Sequence, residues 1–171
     1  TLSEDIAGKV IACISGTKTF NLAGLQASAV IFPNEEMKRK FDTFWMAMDI
    51  HRNNAFSSVA MEAAFNEGEE WLEQLLPYLE ANFIRQYCES HIPQIKPTVP
   101  DATYLVWLDC RSLGMDNERL RSFMIEEAGL GLNEGYTFGR SLSGYMRLNA
   151  ACPRCVLETA LNQLKEAVGR L

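Results

Sequence analysis

The sequence predicts a mixed α/β class that passes to α+β in a smaller C-terminal domain, and three observations lead there. Short continuous apolar runs bounded by polar or turn residues occupy residues 9–14 and 27–32, the pattern of short buried strands. Between about residues 34 and 90 apolar side chains recur at helical spacing. Strand-like runs at 103–109 and 144–150 are each followed by an amphipathic stretch, which suits a short sheet covered by helices.

Val10-Ile11-Ala12-Cys13-Ile14 and Ala29-Val30-Ile31-Phe32 read as the cores of the first two strands, joined by a loop of small and hydroxyl residues. Pro33-Asn34-Glu35-Glu36 marks a helix start, with Asn34 as the N-cap and two carboxylates in the first turn. Lys38, Arg39 and Lys40 follow as a solvated face, partly offset by acidic neighbours. Helical spacing runs through Phe41, Phe44, Trp45 and Met48, breaks at His51-Arg52-Asn53-Asn54, and resumes from Phe56 through Val59, Ala60, Ala63 and Ala64. Asn66-Glu67-Gly68 ends it. The next helix, from about Glu69 to Ser90, carries a stripe of Leu72, Leu75, Leu76, Leu79, Phe83 and Tyr87, with Pro77 expected to kink it.

His91 to Pro100 is a proline-punctuated connection. Thr103-Tyr104-Leu105-Val106-Trp107-Leu108-Asp109 then reads as a strand, and a helix is expected from about Asn117 to Ala128. Gly129 to Leu132 suggests a short strand, Asn133-Glu134-Gly135 a turn, and Tyr136 to Gly139 a loop. After the strand Gly144 to Ala150, Pro153 suits the first turn of a final helix burying Val156, Leu157, Leu161, Leu164 and Val168.

Composition bounds the function. The chain has 171 residues, 47% hydrophobic and 22% charged, with a formal net charge of -6. An acidic chain without a basic run argues against a nucleic-acid partner or an anionic membrane surface. No apolar stretch approaches the roughly 20 residues that span a bilayer, and no leader pattern opens the sequence, so a cytoplasmic location is the default expectation. Five cysteines, an odd and sparse set, do not suggest a disulfide framework.

Several residues could carry chemistry. Lys18 lies in the loop between the first two apolar runs, at the mouth of a sheet. Its amine could form a Schiff base with a carbonyl while neighbouring hydroxyls hold an anion, but by spacing alone it reads first as a solvated loop lysine. Arg147 stands in an otherwise apolar strand, where a guanidinium needs either a bound carboxylate or a structural ion pair. Arg154, at a helix start, is expected to form a structural ion pair. Cys152-Pro153-Arg154-Cys155 has the form of a redox or zinc half-site, but no second cysteine pair accompanies it, so no metal is expected. His51 and His91 read as structural, and Tyr104, Tyr136 and Tyr145 as core aromatics.

Four stretches decide between these alternatives. Thr17-Lys18-Thr19-Phe20-Asn21-Leu22-Ala23-Gly24-Leu25-Gln26-Ala27-Ser28 closely resembles the lysine segment of the class I/II pyridoxal-phosphate (PLP) aminotransferase superfamily, in its cystathionine β-lyase-like, carbon–sulfur lyase branch. Gly68 to Leu75, Tyr104 to Leu108 and Gly144 to Arg154 resemble the same branch in the same order. The resemblance covers nearly the whole chain.

It implies that residues 1–66 are the C-terminal remnant of a fold type I large PLP-binding domain, and that 67–171 form a connecting helix and the small C-terminal domain. It also implies PLP as cofactor, Lys18 as its Schiff-base amine and then as the base that takes the α proton, and Arg147 as the grip on an amino-acid α-carboxylate. The activity implied is a β-lyase that releases thiol, pyruvate and ammonia from cystathionine or related cysteine conjugates, with amino-acid aminotransferase as the alternative. A homodimer is implied for the full-length protein. The sequence opens at Thr1 and reaches the lysine loop almost at once, so a fragment is expected, one that lacks most cofactor contacts and acts in isolation only as an inactive folding or interaction module. Two departures stand out. The superfamily's phosphate-binding arginine eight residues after the lysine is Gln26 here, leaving Ser15 and Thr17 as cofactor-binding substitutes, and Ser15-Gly16-Thr17 replaces the Ala-Pro-Ser common before the lysine.

Overall fold

The computed structural model describes residues 3–50, 54–80 and 84–171, in two compact units, Thr1–Leu75 and Leu76–Leu171. The first unit contains a short helix α1 (Glu4–Ala7), strands β1 (Ala12–Ile14) and β2 (Ala29–Ile31), and helices α2 (Glu35–Ala47) and α3 (Ser57–Glu67). Helix α4 (Glu69–Glu80) begins in this unit and ends in the second.

Strands β1 and β2 pair antiparallel, with Cys13 opposite Val30. They lie where the apolar runs predict strands, but they are shorter and not buried: Ile14 is 46% exposed and Ile31 54%. A two-stranded ribbon has no sheet neighbours, and the described residues of this unit supply no apolar core to cover it; only Gly16 and Ser57 are buried. A short apolar run looks the same in sequence whether or not something covers it.

Helix α2 starts as predicted. The Asn34 side chain accepts a hydrogen bond from the Met37 backbone N–H at 2.9 Å, and Glu35 and Glu36 occupy the first turn. Lys38 pairs with Asp42 and Lys40 with Glu36, each one turn apart on the solvated face. His51, Arg52 and Asn53 of the predicted polar break, and Phe83 of the predicted stripe, lie outside the described residues. Pro77 is inside α4, and Leu76 departs from the expected stripe, being 52% exposed.

The second unit has helix α5 (Ile84–His91), strands β3 (Lys96–Pro97) and β4 (Leu105–Asp109), helix α6 (Asn117–Ser122) running into a π-turn (Phe123–Glu127), strands β5 (Asn133–Glu134) and β6 (Tyr145–Asn149), and helix α7 (Arg154–Val168). Its sheet is antiparallel throughout in the order β3-β4-β6-β5. Strands β4 and β6 and the helices α6 and α7 match the predicted positions. The proline-punctuated connection also contributes β3, an edge strand, where a residue without an N–H is tolerated. The short strand expected at 129–132 is instead β5, at the position read as a turn, because pairing to β6 rather than local apolarity defines it.

Along β6, Met146 and Leu148 are buried while Tyr145 and Arg147 lie on the other face, and β4 alternates in the same way through Val106 and Leu108. The buried face meets Ile84 and Cys88 of α5, Leu120 of α6, Phe123 and Met124 of the π-turn, and Leu157, Leu161 and Leu164 of α7 in one apolar core. Val156 does not join it, being 53% exposed: helical phase puts it on the solvent side, against expectation. Leu161→Ala is therefore expected to cost about 2–5 kcal/mol in denaturant unfolding, whereas Val156→Ala stays within about 0.5 kcal/mol.

Candidate active site

The predicted site residues fall into two groups, one in each unit. Lys18 lies in a tight turn after β1, closed by hydrogen bonds from Phe20 N–H to the Gly16 carbonyl (2.9 Å) and from Leu22 N–H to the Thr17 carbonyl (2.7 Å). Its side chain is exposed and forms no ion pair with the described residues. The same loop brings Ser15 and Thr17 together. The Ser15 hydroxyl donates to the Ala27 carbonyl at 2.6 Å, so in the 2.8 Å contact between the two hydroxyls Thr17 is the donor.

The loop is anchored from three sides. Phe20 packs against Phe65 of α3 and Trp71 of α4, with ring centroids 6.1 and 6.0 Å away. Buried Ser57, the first residue of α3, donates to the Leu25 carbonyl at 2.7 Å. Gly68 lets Phe20 in: a Cβ there would lie 2.3 Å from the Ala64 carbonyl oxygen and 2.5 Å from the Phe20 ring. Two residues after the lysine are left-handed, Asn21 at φ +56° and Gln26 at φ +51°. Asn tolerates this conformation, but Gln26, the residue at the superfamily's arginine position, holds it at a cost of about 1 kcal/mol.

Arg147 occupies the centre of the second unit's sheet, with Trp107 of β4 on one side in register and Asn133 of β5 on the other. Its Nη2 donates to the Asn133 Oδ1 at 3.1 Å, and its guanidinium carbon lies 4.3 Å from the centre of the Phe138 ring. No carboxylate among the described residues pairs with it, and its buried Nε has no hydrogen-bond partner there. Further along the same face Asp109 takes Arg111 in a two-pronged pair at 2.9 and 2.8 Å, and Arg111 also covers the Tyr145 ring. The Arg111 guanidinium holds the Asp109 carboxyl below its usual range.

The remaining candidates have other roles. Arg154 forms a stacking contact rather than the expected ion pair: its guanidinium lies 5.1 Å from the Tyr78 ring centre, and the Tyr78 hydroxyl accepts its backbone N–H at 2.8 Å, capping α7. Cys152 is half-buried with its thiol pushed up by desolvation, the opposite of a reactive thiolate, and Cys155 is exposed. Burial raises the thiols of Cys88 to about 11 and Cys110 to about 12. No metal-ligating cluster is formed among the described residues. His91 packs edge-on against Tyr87. Asn133 and Phe138 are the site neighbours that sequence reading missed; their signal lies in the pairing of β5 with β6, which spacing along the chain does not carry.

No protein-family model matches the chain. It is 36% identical over 170 residues to the cystathionine β-lyase PatB of Bacillus subtilis, covering 98% of this chain and 44% of PatB. It is 32% identical over 157 residues to MalY of Escherichia coli, covering 90% of this chain and 40% of MalY. Among solved structures it superposes on a PLP-bound candidate aminotransferase of Clostridium difficile 630 with a TM-score of 0.92 and 44% identity, over 97% of this chain and 43% of the other. PLP-containing cystalysin of Treponema denticola gives a TM-score of 0.93 at 30% identity, over 98% and 43% of the two chains.

In sequence and fold the chain belongs to the class I/II, fold type I PLP-dependent aminotransferase superfamily. Within it, the chain falls with the cystathionine β-lyase-like branch and matches the C-terminal part of those proteins, spanning about 44% of the length of PatB.

Two measurements check this geometry. Gly68→Ala is expected to destabilise the protein by about 1–3 kcal/mol through overpacking against Phe20, with part of the loss recovered when Phe20→Ala is added, as read from thermal unfolding. Arg111→Met is expected to return the Asp109 carboxyl to its ordinary range in an NMR titration. Because the folded carboxyl is depressed, the stability that the pair contributes is present above the ordinary carboxylate range and is lost as pH falls through the lowered value, so the wild-type advantage over Arg111→Met should vanish at acid pH.

Proposed function

We propose that this chain is the C-terminal part of a PLP-dependent carbon–sulfur β-lyase that acts on cystathionine or related cysteine conjugates and yields thiol, pyruvate and ammonia. The observation that carries the reading is the match to a cystathionine β-lyase at 36% identity over 98% of the chain. The lysine loop fits the cofactor, with an exposed amine at Lys18 and two hydroxyls beside it at Ser15 and Thr17, and the Arg147 guanidinium, which no carboxylate among the described residues pairs, fits a substrate carboxylate.

Lys18 would hold the cofactor through its amine, and as a free amine it would be the base that takes the proton from the substrate α carbon. When bound, PLP supplies an electron sink for the negative charge left on that carbon. Arg147 binds and orients the α-carboxylate through its planar fork. Thr17 would donate its hydroxyl to the cofactor by giving up its contact to Ser15, and Ser15 by giving up its bond to the Ala27 carbonyl. With Gln26 at the arginine position, this loop contributes neutral donors rather than a cation to the phosphate. The full-length protein is a cytoplasmic homodimer in this reading, and the isolated chain is inactive. No helix among the described residues is long and apolar enough to cross a membrane.

An aminotransferase outcome is the second reading, favoured by the 27% identity over 157 residues to an aspartate aminotransferase of Pyrococcus horikoshii. The lyase relatives match at up to 36% identity, which favours the first.

The test uses the full-length, PLP-loaded protein. Borohydride reduction followed by peptide mapping is expected to fix the cofactor on Lys18, and a label on any other lysine overturns the assignment. Lys18→Ala should lower kcat by about 10²-fold or more, and Arg147→Met should raise KM by roughly 30-fold, corresponding to about 2 kcal/mol for removing one partner of a desolvated charge pair. Pyruvate released from cystathionine identifies the lyase; transfer of the amino group to an added 2-oxo acid, without pyruvate release, identifies the aminotransferase.

A further inference from the structure

Arg147, like Arg140, Arg154 and Arg170 of its unit, has no carboxylate partner among the described residues, and of these four it is the one that stands in a sheet strand. Arg111, Arg119 and Arg121 each pair with a carboxylate, namely Asp109, Glu127 and Glu134. Arg147 instead meets the amide oxygen of Asn133 and the face of Phe138. The choice of neighbour matters, because the adjacent residue Glu134 is acidic. Arg121 holds that carboxylate at 2.9 Å, and strand register sets Glu134 opposite Met146 and the neutral Asn133 opposite Arg147.

The aromatic side is equally defined. Phe138 stands in a turn, Gly135–Phe138, that follows β5 directly, and Trp107 meets its ring edge-on at 5.5 Å and 86°. Trp107 is also the β4 neighbour of Arg147. The guanidinium thus has a ring on its face, an amide acceptor at one nitrogen and a tryptophan alongside. A ring attracts a cation without neutralising it, and an amide fixes direction without supplying a counter-charge.

We propose that Asn133 and Phe138 are positioning residues for Arg147: together they orient the guanidinium while leaving its charge uncompensated for the carboxylate of an incoming amino acid. This rests on the reading of Arg147 as the carboxylate grip. An acid at position 133 would satisfy the arginine internally and compete with substrate. Loss of the ring at 138 would free the guanidinium to rotate and restore to it the entropy that binding must then remove.

The experiment measures KM and kcat separately in the full-length PLP-loaded protein, for an amino-acid substrate and for its carboxamide. Asn133→Asp and Phe138→Leu are expected to raise KM for the carboxylate substrate at least 10-fold, with kcat within about twofold and discrimination against the carboxamide reduced in proportion. Phe138→Tyr, which keeps the ring, should restore KM. A residue that merely supports the fold would lower the active fraction and hence apparent kcat, without changing discrimination. Arg147→Lys separates the two levels. If it raises KM while Asn133→Asp and Phe138→Leu do not, the positioning roles are overturned and the grip stands; if it leaves KM unchanged, the grip is overturned and the positioning roles with it. Should Asn133→Asp fail to fold, the contrast between Phe138→Leu and Phe138→Tyr decides: equal KM values overturn the proposal.

Discussion

The alternation of side chains along β6 is the constraint on which the second unit depends. Met146 and Leu148 enter the apolar core, so Tyr145 and Arg147 must emerge on the opposite face. A slip of one residue would carry the guanidinium into the core and two large apolar side chains out of it, a change that costs several kcal/mol on the charge alone. Register is held from both sides, by five cross-strand pairs with β4 and by β5. Gly135 completes the arrangement. A Cβ there would lie 2.3 Å from the Leu142 carbonyl oxygen and 2.7 Å from that of Tyr145, so the absence of a side chain lets the turn bearing Phe138 lie against β6.

The first unit obeys a different balance. It has well-formed local structure, including an Asn-capped helix, but its large apolar side chains, among them Phe44, Phe56 and Val59, are exposed. The chain spans about 44% of the length of its curated relative PatB. What the unit does organise internally is the lysine loop: Phe20 inserted beside Gly68, Ser57 bonded to Leu25, and the hydroxyls of Ser15 and Thr17 joined beside Lys18.

Local signals carried much of this into the sequence. The Asn34 cap, the run Leu105 to Asp109, the strand around Arg147 and the stripe Leu157, Leu161, Leu164 are each set by neighbours within one or two turns, and each was legible. Long-range pairing was not. Two-residue β3 and β5 exist because β4 and β6 accept them, and neither Lys96-Pro97 nor Asn133-Glu134 has strand composition. The exposure of the β1–β2 ribbon escaped for a related reason, since apolar runs report preference and not what covers them. The partners of Arg147 escaped because cross-strand register, rather than spacing along the chain, brings Asn133 and Trp107 to it.

Lys18 is singled out by the residues around it, whereas Arg147 is singled out both by its oddity in an apolar strand and by its segment. The proposed chemistry assigns the amine to the α carbon and the guanidinium to the carboxylate of an amino-acid substrate. Its most direct test is a crystal structure of the full-length protein with PLP and a bound amino-acid inhibitor. Carboxylate oxygens within hydrogen-bond distance of the Arg147 guanidinium, still seated on Phe138 and bonded to Asn133, are the result expected; a carboxylate held by another residue, with Arg147 unliganded or turned away, would contradict it.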